Sequence, residues 1–252
     1  NDTVYHYFRN DTWVGESVQI TRTEDLGRPM LELDKNDNMV ITLKNHESSK
    51  YFLFGNPTFA SIDLERLLAA NPSIKAFYQI TVDKDNQKYS AKNGVLFDKE
   101  GKTLIKYPPM KPGVSYSVPE GTEAIGESAF SFCENLKSVI IPNSVKEIGK
   151  SAFWRCSNLK SIKISDSVTS IGDDAFAGCM SLKEIQLPSS LNFLGDRAFA
   201  LLDINITLSE GSSNFKMVDG CLFDKEGDTL FYYSNKGNKT KYTVPDGVKK
   251  IG

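Results

Sequence analysis

Three cysteines stand at one constant interval, Cys133, Cys156 and Cys179, and a fourth lies at Cys221. Grouped thiolates bind soft metals and paired ones form disulfides, so these are the first chemistries to weigh. The spacing argues against both. Zinc sites pair Cys-x-x-Cys blocks or recruit histidine, and the only two histidines, His6 and His46, lie far away in the sequence. Equivalent positions of stacked units carry parallel Cβ vectors, which is poor disulfide geometry. The expectation is four buried thiols outside any disulfide, acting as small apolar side chains, with no metal and no other cofactor.

The carboxylates offer two further candidates. Asp34-Lys35-Asn36-Asp37-Asn38 resembles the start of a calcium loop, but Met39 occupies the position that needs glycine and Asn45 the position that needs glutamate, so a hairpin turn is expected. Asp98 with Glu100, and Asp224 with Glu226, could suggest a cation site; without a ring of further oxygen ligands they read as solvated turns. No Gly-x-Ser-x-Gly elbow, His-Glu-x-x-His motif or phosphate-binding glycine loop occurs. An acidic pair could hydrolyse glycosides, but 32 scattered acidic residues make such pairs by chance. No catalytic residue is assigned, and the chain is read as a non-enzyme.

The elements that carry these residues are repeats. Ile125-Gly126, Ile148-Gly149, Ile171-Gly172 and Leu194-Gly195 recur at an offset of 23, in step with Phe130, Phe153, Phe176 and Phe199 and with Leu136, Leu159 and Leu182. A fixed period of this size means one supersecondary unit stacked on copies of itself. Leu159-x-x-Ile162-x-Ile164 and its counterparts end in the alternation of a short strand, predicting a parallel ladder with neighbours about 4.8 Å apart. Pro142 and Pro188 close two of these strands. The Ala-Phe pair lies on the opposite wall with its ring inward, and each Ile-Gly or Leu-Gly glycine permits a tight corner. The unit from Leu194 is degenerate, with Leu202 at the cysteine position and a following strand short by two residues.

A longer repeat overlies the first. Asn93–Leu104 reappears as Asp219–Leu230 at an offset of 126, as do Tyr116–Gly121 in Tyr242–Gly247 and Ile80–Val82 in Ile206–Leu208. Each copy reads as a β-hairpin around an Asp-Lys-Glu-Gly turn, inserted between runs of short repeats. Cys221 aligns with Val95 in this repeat, again an apolar slot. Because the chain given stops one step into a new unit, the solenoid is expected to continue beyond residue 252 in the natural protein.

Residues 1–58 lack the period. Val18-x-Ile20, Leu31-x-Leu33, Met39-x-Ile41-x-Leu43 and Tyr51–Phe54 read as short strands, and a short helix capped by Ser61 is expected over Ile62 to Ala70. The segment is read as a β-rich cap or small domain, and 59–252 as the solenoid. The fold class is thus an α/β-type repeat solenoid, right-handed, with parallel short strands and inserted hairpins.

Outward strand positions form three columns: Lys137, Lys160, Lys183; Ser138, Ser161, Glu184; and Ile140, Lys163, Gln186. A lysine stripe of this kind meets acidic side chains or sulfated glycans, or simply keeps an open sheet face soluble. Lys137, Lys160, Lys183, Ile140, Lys163 and Gln186 are the candidate ligand-binding residues. Trp13 and Trp154 could anchor contacts, although Trp154 equally serves to cover the opposite wall.

The unit Pro-x-x-Val-x-x-Ile-Gly-x-x-Ala-Phe-x-x-Cys-x-x-Leu-x-x-Ile, best kept in Pro119–Val139 and Pro142–Ile162, together with the inserted Gly-Val-Leu-Phe-Asp-Lys-Glu-Gly-x-Thr-Leu element, resembles the BspA-like (treponemal-type) leucine-rich repeats over about residues 59–252. The resemblance implies exported or surface-attached proteins, many from bacteria of the mouth and gut, that act in adhesion and protein binding. It implies no catalytic residues. Formal net charge −2 argues against nucleic acid, and no apolar run approaches the roughly 18–20 residues of a membrane span. The polar start at Asn1-Asp2-Thr3 lacks the features of a signal peptide, as a mature exported chain also would. The expected function is a cell-surface or secreted module recognising a host or bacterial protein or glycan. The alternatives are a structural spacer that displays another domain, or an enzyme whose site lies in residues 1–58.

Overall fold

The computed structural model describes strands within residues 8–82, then residues 84, 86–109, 111–234 and 242–252. The chain forms two compact units, Asn1–Gly101 with Lys106–Pro112, and Lys102–Ile105 with Gly113–Gly252. In the first unit, Met30–Leu33 pairs antiparallel with Met39–Leu43, which runs parallel to Phe77–Val82. Two of the four strands expected in residues 1–58 are thus present. Residues 18–20 and 51–54, the loop at 34–38, the helix expected at 62–70 and the boundary at 58/59 lie outside the described residues.

Tyr89–Lys92 and Val95–Asp98 form an antiparallel hairpin in the first unit. Asn93 and Gly94 turn it with φ of 51° and 77°, the doubly left-handed turn that Asn-Gly favours. The second unit repeats the device: Phe215–Val218 pairs with Cys221–Asp224 around Asp219 (φ 50°) and Gly220 (φ 79°), and Cys221–Asp224 then pairs antiparallel with Thr229–Tyr232. The insert is therefore a three-stranded meander, one strand more than the hairpin expected from the Asp-Lys-Glu-Gly turn. Asn93-Gly94 and Asp219-Gly220 were the local signal for the extra strand.

The second unit is a solenoid with two parallel ladders. One stacks Thr103–Lys106, Ala124–Ile125, Glu147–Ile148, Ser170–Ile171 and Phe193–Leu194 in order. The other stacks Ser115–Ser117, Ser138–Ile140 and Ser161–Lys163, while Glu184–Leu187 pairs separately with Asn205–Leu208. Between the ladders, Phe130, Phe153, Phe176 and Phe199 form one file of nearly parallel rings, with centroids 4.8, 5.3 and 5.9 Å apart. Tyr116 tilts against Phe130 at one end, and Tyr232 meets Phe199 edge-on at the other. Offset stacking of this kind adds to the burial of each ring.

The α part of the α/β description is not borne out, because no helix occurs among the described residues. The Ala-Phe wall is built of turns, and its hydrogen bonds show why. The N–H groups of Ser128, Phe130 and Phe132 donate to Lys150, Ala152 and Trp154 of the next coil, at 2.9, 2.7 and 2.9 Å. Those of Ala129, Ser131 and Cys133 donate three residues back, to Gly126, Ser128 and Phe130. An α-helix would spend every interior donor within itself. Here alternate donors bind the neighbouring coil, which requires left-handed residues at Ser128, Ser151, Asp174 and Arg197, and again at Phe132, Arg155, Gly178 and Leu201.

The glycines of the Ile-Gly and Leu-Gly pairs serve close approach rather than an unusual φ. A Cβ on Gly172 would lie 2.6 Å from the Lys150 backbone nitrogen and 2.9 Å from the Gly149 carbonyl carbon. Backbone cannot move aside as a flexible side chain can, so the coils would have to part.

The long repeat carries an ion pair in both copies with the signs exchanged. Lys102 Nζ meets Glu123 Oε1 at 2.9 Å, and 126 residues later in the repeat Lys249 Nζ meets Asp228 Oδ2 at 2.7 Å. The backbone is the same in both places: Glu123 and Ala124 N–H donate to Lys102, and Lys249 and Lys250 N–H donate to Asp228.

Candidate binding surface

The outward positions of the ladder that contains Ser138–Ile140 and Ser161–Lys163 are set by alternation. Val139 and Ile185 turn into the core at 1% and 2% exposure, so their neighbours must face solvent. Lys137, Lys160, Lys183, Ile140, Lys163 and Gln186 are all exposed. Register places Ile140 opposite Lys163 and Ser138 opposite Ser161. Lys160 and Ser161 N–H both donate to the Lys137 carbonyl, at 2.8 and 3.1 Å. Lys137 and Lys160 therefore sit on adjacent coils, as do Ile140 and Lys163.

Gln186 lies in the separate two-stranded sheet, where it faces Thr207, and Lys183 immediately precedes its first strand. No strand pairing joins that sheet to Ser161–Lys163. The strand pairing that sets the columns therefore joins the first two coils and is not kept into the third. None of these lysines forms an ion pair among the described residues. With Ile140 48% exposed between them, the surface mixes unpaired cations with apolar area.

All four cysteines are buried thiols. Cys156 Sγ donates to the Phe130 carbonyl at 2.9 Å and Cys179 Sγ to the Phe153 carbonyl at 3.1 Å, each reaching the preceding coil. A cysteine here is more than a small hydrophobe, because its thiol gives a second donor to a buried carbonyl that already accepts a backbone N–H. Contact with Cys156 and burial together push the Cys179 thiol far above its ordinary pKa, so it stays protonated. Cys221 is buried as Val95 is.

A cleft of about 460 Å³ lies beside Phe193 and the second meander. Its carboxylates are partly engaged already: Asp196 holds Lys250 Nζ at 2.6 Å, and Asp224 accepts the Gly227 N–H at 2.7 Å. Desolvation opposes ionisation of Asp224, but hydrogen bonds from Thr229, Gly227 and Asp228 outweigh it and hold its pKa below the ordinary value. Among the described residues no three of His, Cys, Asp or Glu are grouped to hold a metal ion.

Sequence reasoning missed a cluster on the turn wall, where the Phe132 and Trp154 rings meet edge-to-face at 4.9 Å and Arg155 lies over both. Trp154 does cover this wall, half-buried. The side chain of Trp13 lies outside the described residues.

Residues 114–229 match the model of the BspA type leucine rich repeat region, in six copies. A leucine rich cell surface protein of Faecalibacterium prausnitzii is 37% identical over 49% of this chain and 33% of its own, with a TM-score of 0.46. A leucine-rich repeat protein of Bacteroides capillosus is 27% identical over 48% of this chain and 99% of its own, at 0.44. The pneumococcal vaccine antigen PcpA shares the fold, at 20% identity over 88% of this chain and 58% of its own, with a TM-score of 0.52. This chain thus spans about a third of the Faecalibacterium protein. No curated protein matches it. No helix among the described residues is long and apolar enough to cross a membrane. Residues 114–229, six repeats stacked on a single file of phenylalanines, thus form a BspA type leucine rich repeat region.

Proposed function

We propose that this chain is a non-catalytic binding module of a secreted or cell-surface protein, recognising a protein or glycan partner through the outward face of the ladder that contains Ser138–Ile140 and Ser161–Lys163. The observation that carries the reading is the set of exposed lysines, free of ion pairs among the described residues, of which Lys137 and Lys160 are held on adjacent coils by backbone register. Cations on adjacent coils offer matched spacing to an acidic partner at little ordering cost. The match to a repeat family whose stacked units present extended surfaces supports binding over chemistry. The same match supports placement outside the cell, where the resemblance to BspA-like repeats implies export or surface attachment.

The test is an array of sulfated glycans and extracellular-matrix proteins probed with the full chain and with the triple variant Lys137→Glu, Lys160→Glu, Lys183→Glu. Capture of the best ligand is expected to fall at least tenfold, on the order of 1.4 kcal/mol, and to lose its salt dependence. Capture unchanged in the triple variant overturns the lysine face as the site.

A further inference from the structure

The turn wall carries a second surface whose chemistry differs from that of the lysine face. Arg155 is exposed, and its guanidinium carbon lies 5.0 Å from the Trp154 ring centre and 5.9 Å from that of Phe132. The two rings brace each other edge-to-face at 4.9 Å. Stacking on its flat face leaves the donor edge of a guanidinium open. Arg197, on the neighbouring register of the same wall, is committed to Asp174 through two hydrogen bonds of 2.7 and 3.1 Å. Arg155 makes no ion pair among the described residues.

The backbone adds an independent observation. Phe132, Arg155, Gly178 and Leu201 occupy one repeat position, and all are left-handed, with φ of 60°, 55°, 77° and 65°. Only Gly178 takes that conformation without cost. The coil-to-coil hydrogen bonds require that conformation, and Phe132, Arg155 and Leu201 adopt it despite their size. Gly178 also makes room: a Cβ there would lie 3.2 Å from Arg155 Cγ, so the arginine stem rests on the bare glycine. One coil further, Met180 is 52% exposed, and Leu201 beyond it is 73% exposed.

We infer that Phe132, Trp154 and Arg155 form a docking site for an acidic segment of a protein partner, the partner's carboxylate taking the free edge of Arg155 and its flanking apolar side chains meeting Trp154 and Met180. Arginine, tryptophan and methionine are the residue types enriched where proteins grip proteins. A guanidinium fork selects a carboxylate by geometry as well as by charge. A saccharide acid would satisfy Arg155, but the surrounding side chains Phe132, Trp154, Met180 and Leu201 offer little to its hydroxyls.

Displayed decapeptides are selected on the full chain carrying Trp13→Phe, which leaves Trp154 as the single tryptophan reporter. Enriched peptides are expected to carry Asp or Glu beside Leu or Phe, to quench or shift Trp154 emission, and to weaken at least tenfold when the acid becomes Asn or Gln. Arg155→Gly is expected to weaken them at least tenfold while the melting temperature stays within about 2 °C, since glycine suits a left-handed backbone. Arg155→Lys keeps the charge but not the flat fork, and is expected to lose several-fold. The triple lysine reversal on the ladder face is expected to leave peptide affinity intact at physiological salt, so the two surfaces stand or fall separately. Selection without acidic peptides, binding indifferent to Arg155→Gly, or Arg155-dependent binding of hexuronate oligomers alone would each overturn the inference. So would Arg155→Gly lowering the melting temperature by many degrees without weakening the peptides, which would make the arginine a structural clamp.

Discussion

The coils around Phe153 and the coil around Phe199 are built from the same motif and are held together differently. Around Phe153 the period is kept without slip, and the rings lie 4.8 and 5.3 Å from their neighbours. The turn wall there closes by a regular run of backbone bonds, coil to coil, to which the Cys156 and Cys179 thiols add. After Phe199 the step shortens: Glu184 faces Asn205, two positions before the partner that the constant period would supply. The ring gap widens to 5.9 Å, and side chains take up backbone partners that strict repetition would have supplied. Ile204 N–H donates to the Tyr232 hydroxyl at 2.9 Å, and that hydroxyl donates to the Ile204 carbonyl at 3.1 Å. Asn214 Nδ2 donates to the Leu191 carbonyl at 3.0 Å. A constant period lets each coil satisfy the next with whatever side chains it has; a broken period makes stability depend on particular residues.

The largest effect expected from this contrast is at the ring file. Phe153→Ala removes a fully buried ring stacked on both sides and is expected to cost about 3–5 kcal/mol. Phe199→Ala, in the looser coil, is expected to cost less. Thermal or denaturant unfolding of the two variants decides it, and equal or reversed losses would show that spacing along the file does not govern its energetics.

A smaller loss, about 1–3 kcal/mol, is expected for Tyr232→Phe, which keeps the ring and strips Ile204 of both partners. Denaturant midpoints measure it. A loss under about 0.5 kcal/mol would mean that water replaces the hydroxyl and that side-chain substitution matters little in the short coil.

The smallest effect lies at the other end of the file. Burial pushes the Tyr116 phenol up to about 12. The fold therefore favours its neutral form, and the associated stability is complete below the ordinary value of 10 and is lost as pH rises through about 12. Tyr116→Phe is expected to lose less melting temperature than the parent across that alkaline window. Identical alkaline slopes would show that the first ring position is open to water.

What could be read from sequence follows the same division. Ile148, Phe153, Cys156 and Leu159 are legible because each is repeated in step and burial selects the same residue type every time. Tyr232 is not, because a role filled once leaves no pattern. The left-handed column Phe132, Arg155, Gly178, Leu201 hides for another reason: its members share a backbone angle and no side-chain chemistry. Ala-Phe runs suit a helix by propensity, and only the carbonyls of the next coil, invisible in a single unit, make turns the better solution. The lysine columns were legible as alternation. The gap in strand pairing between Ser161–Lys163 and Glu184–Leu187 was not, since both segments carry the same pattern.

Two nearly identical meanders in one chain invite exchange, each docking where the other belongs. Lys102 and Asp228 occupy matching places, as do Glu123 and Lys249. A crossed assembly would set Lys102 against Lys249 and Asp228 against Glu123, turning two attractions into two repulsions. Each exposed pair is worth only about 0.2–1 kcal/mol, and reversing both roughly doubles the difference. The swapped signs thus act as an address, telling two look-alike segments apart while the chain is still finding its partners.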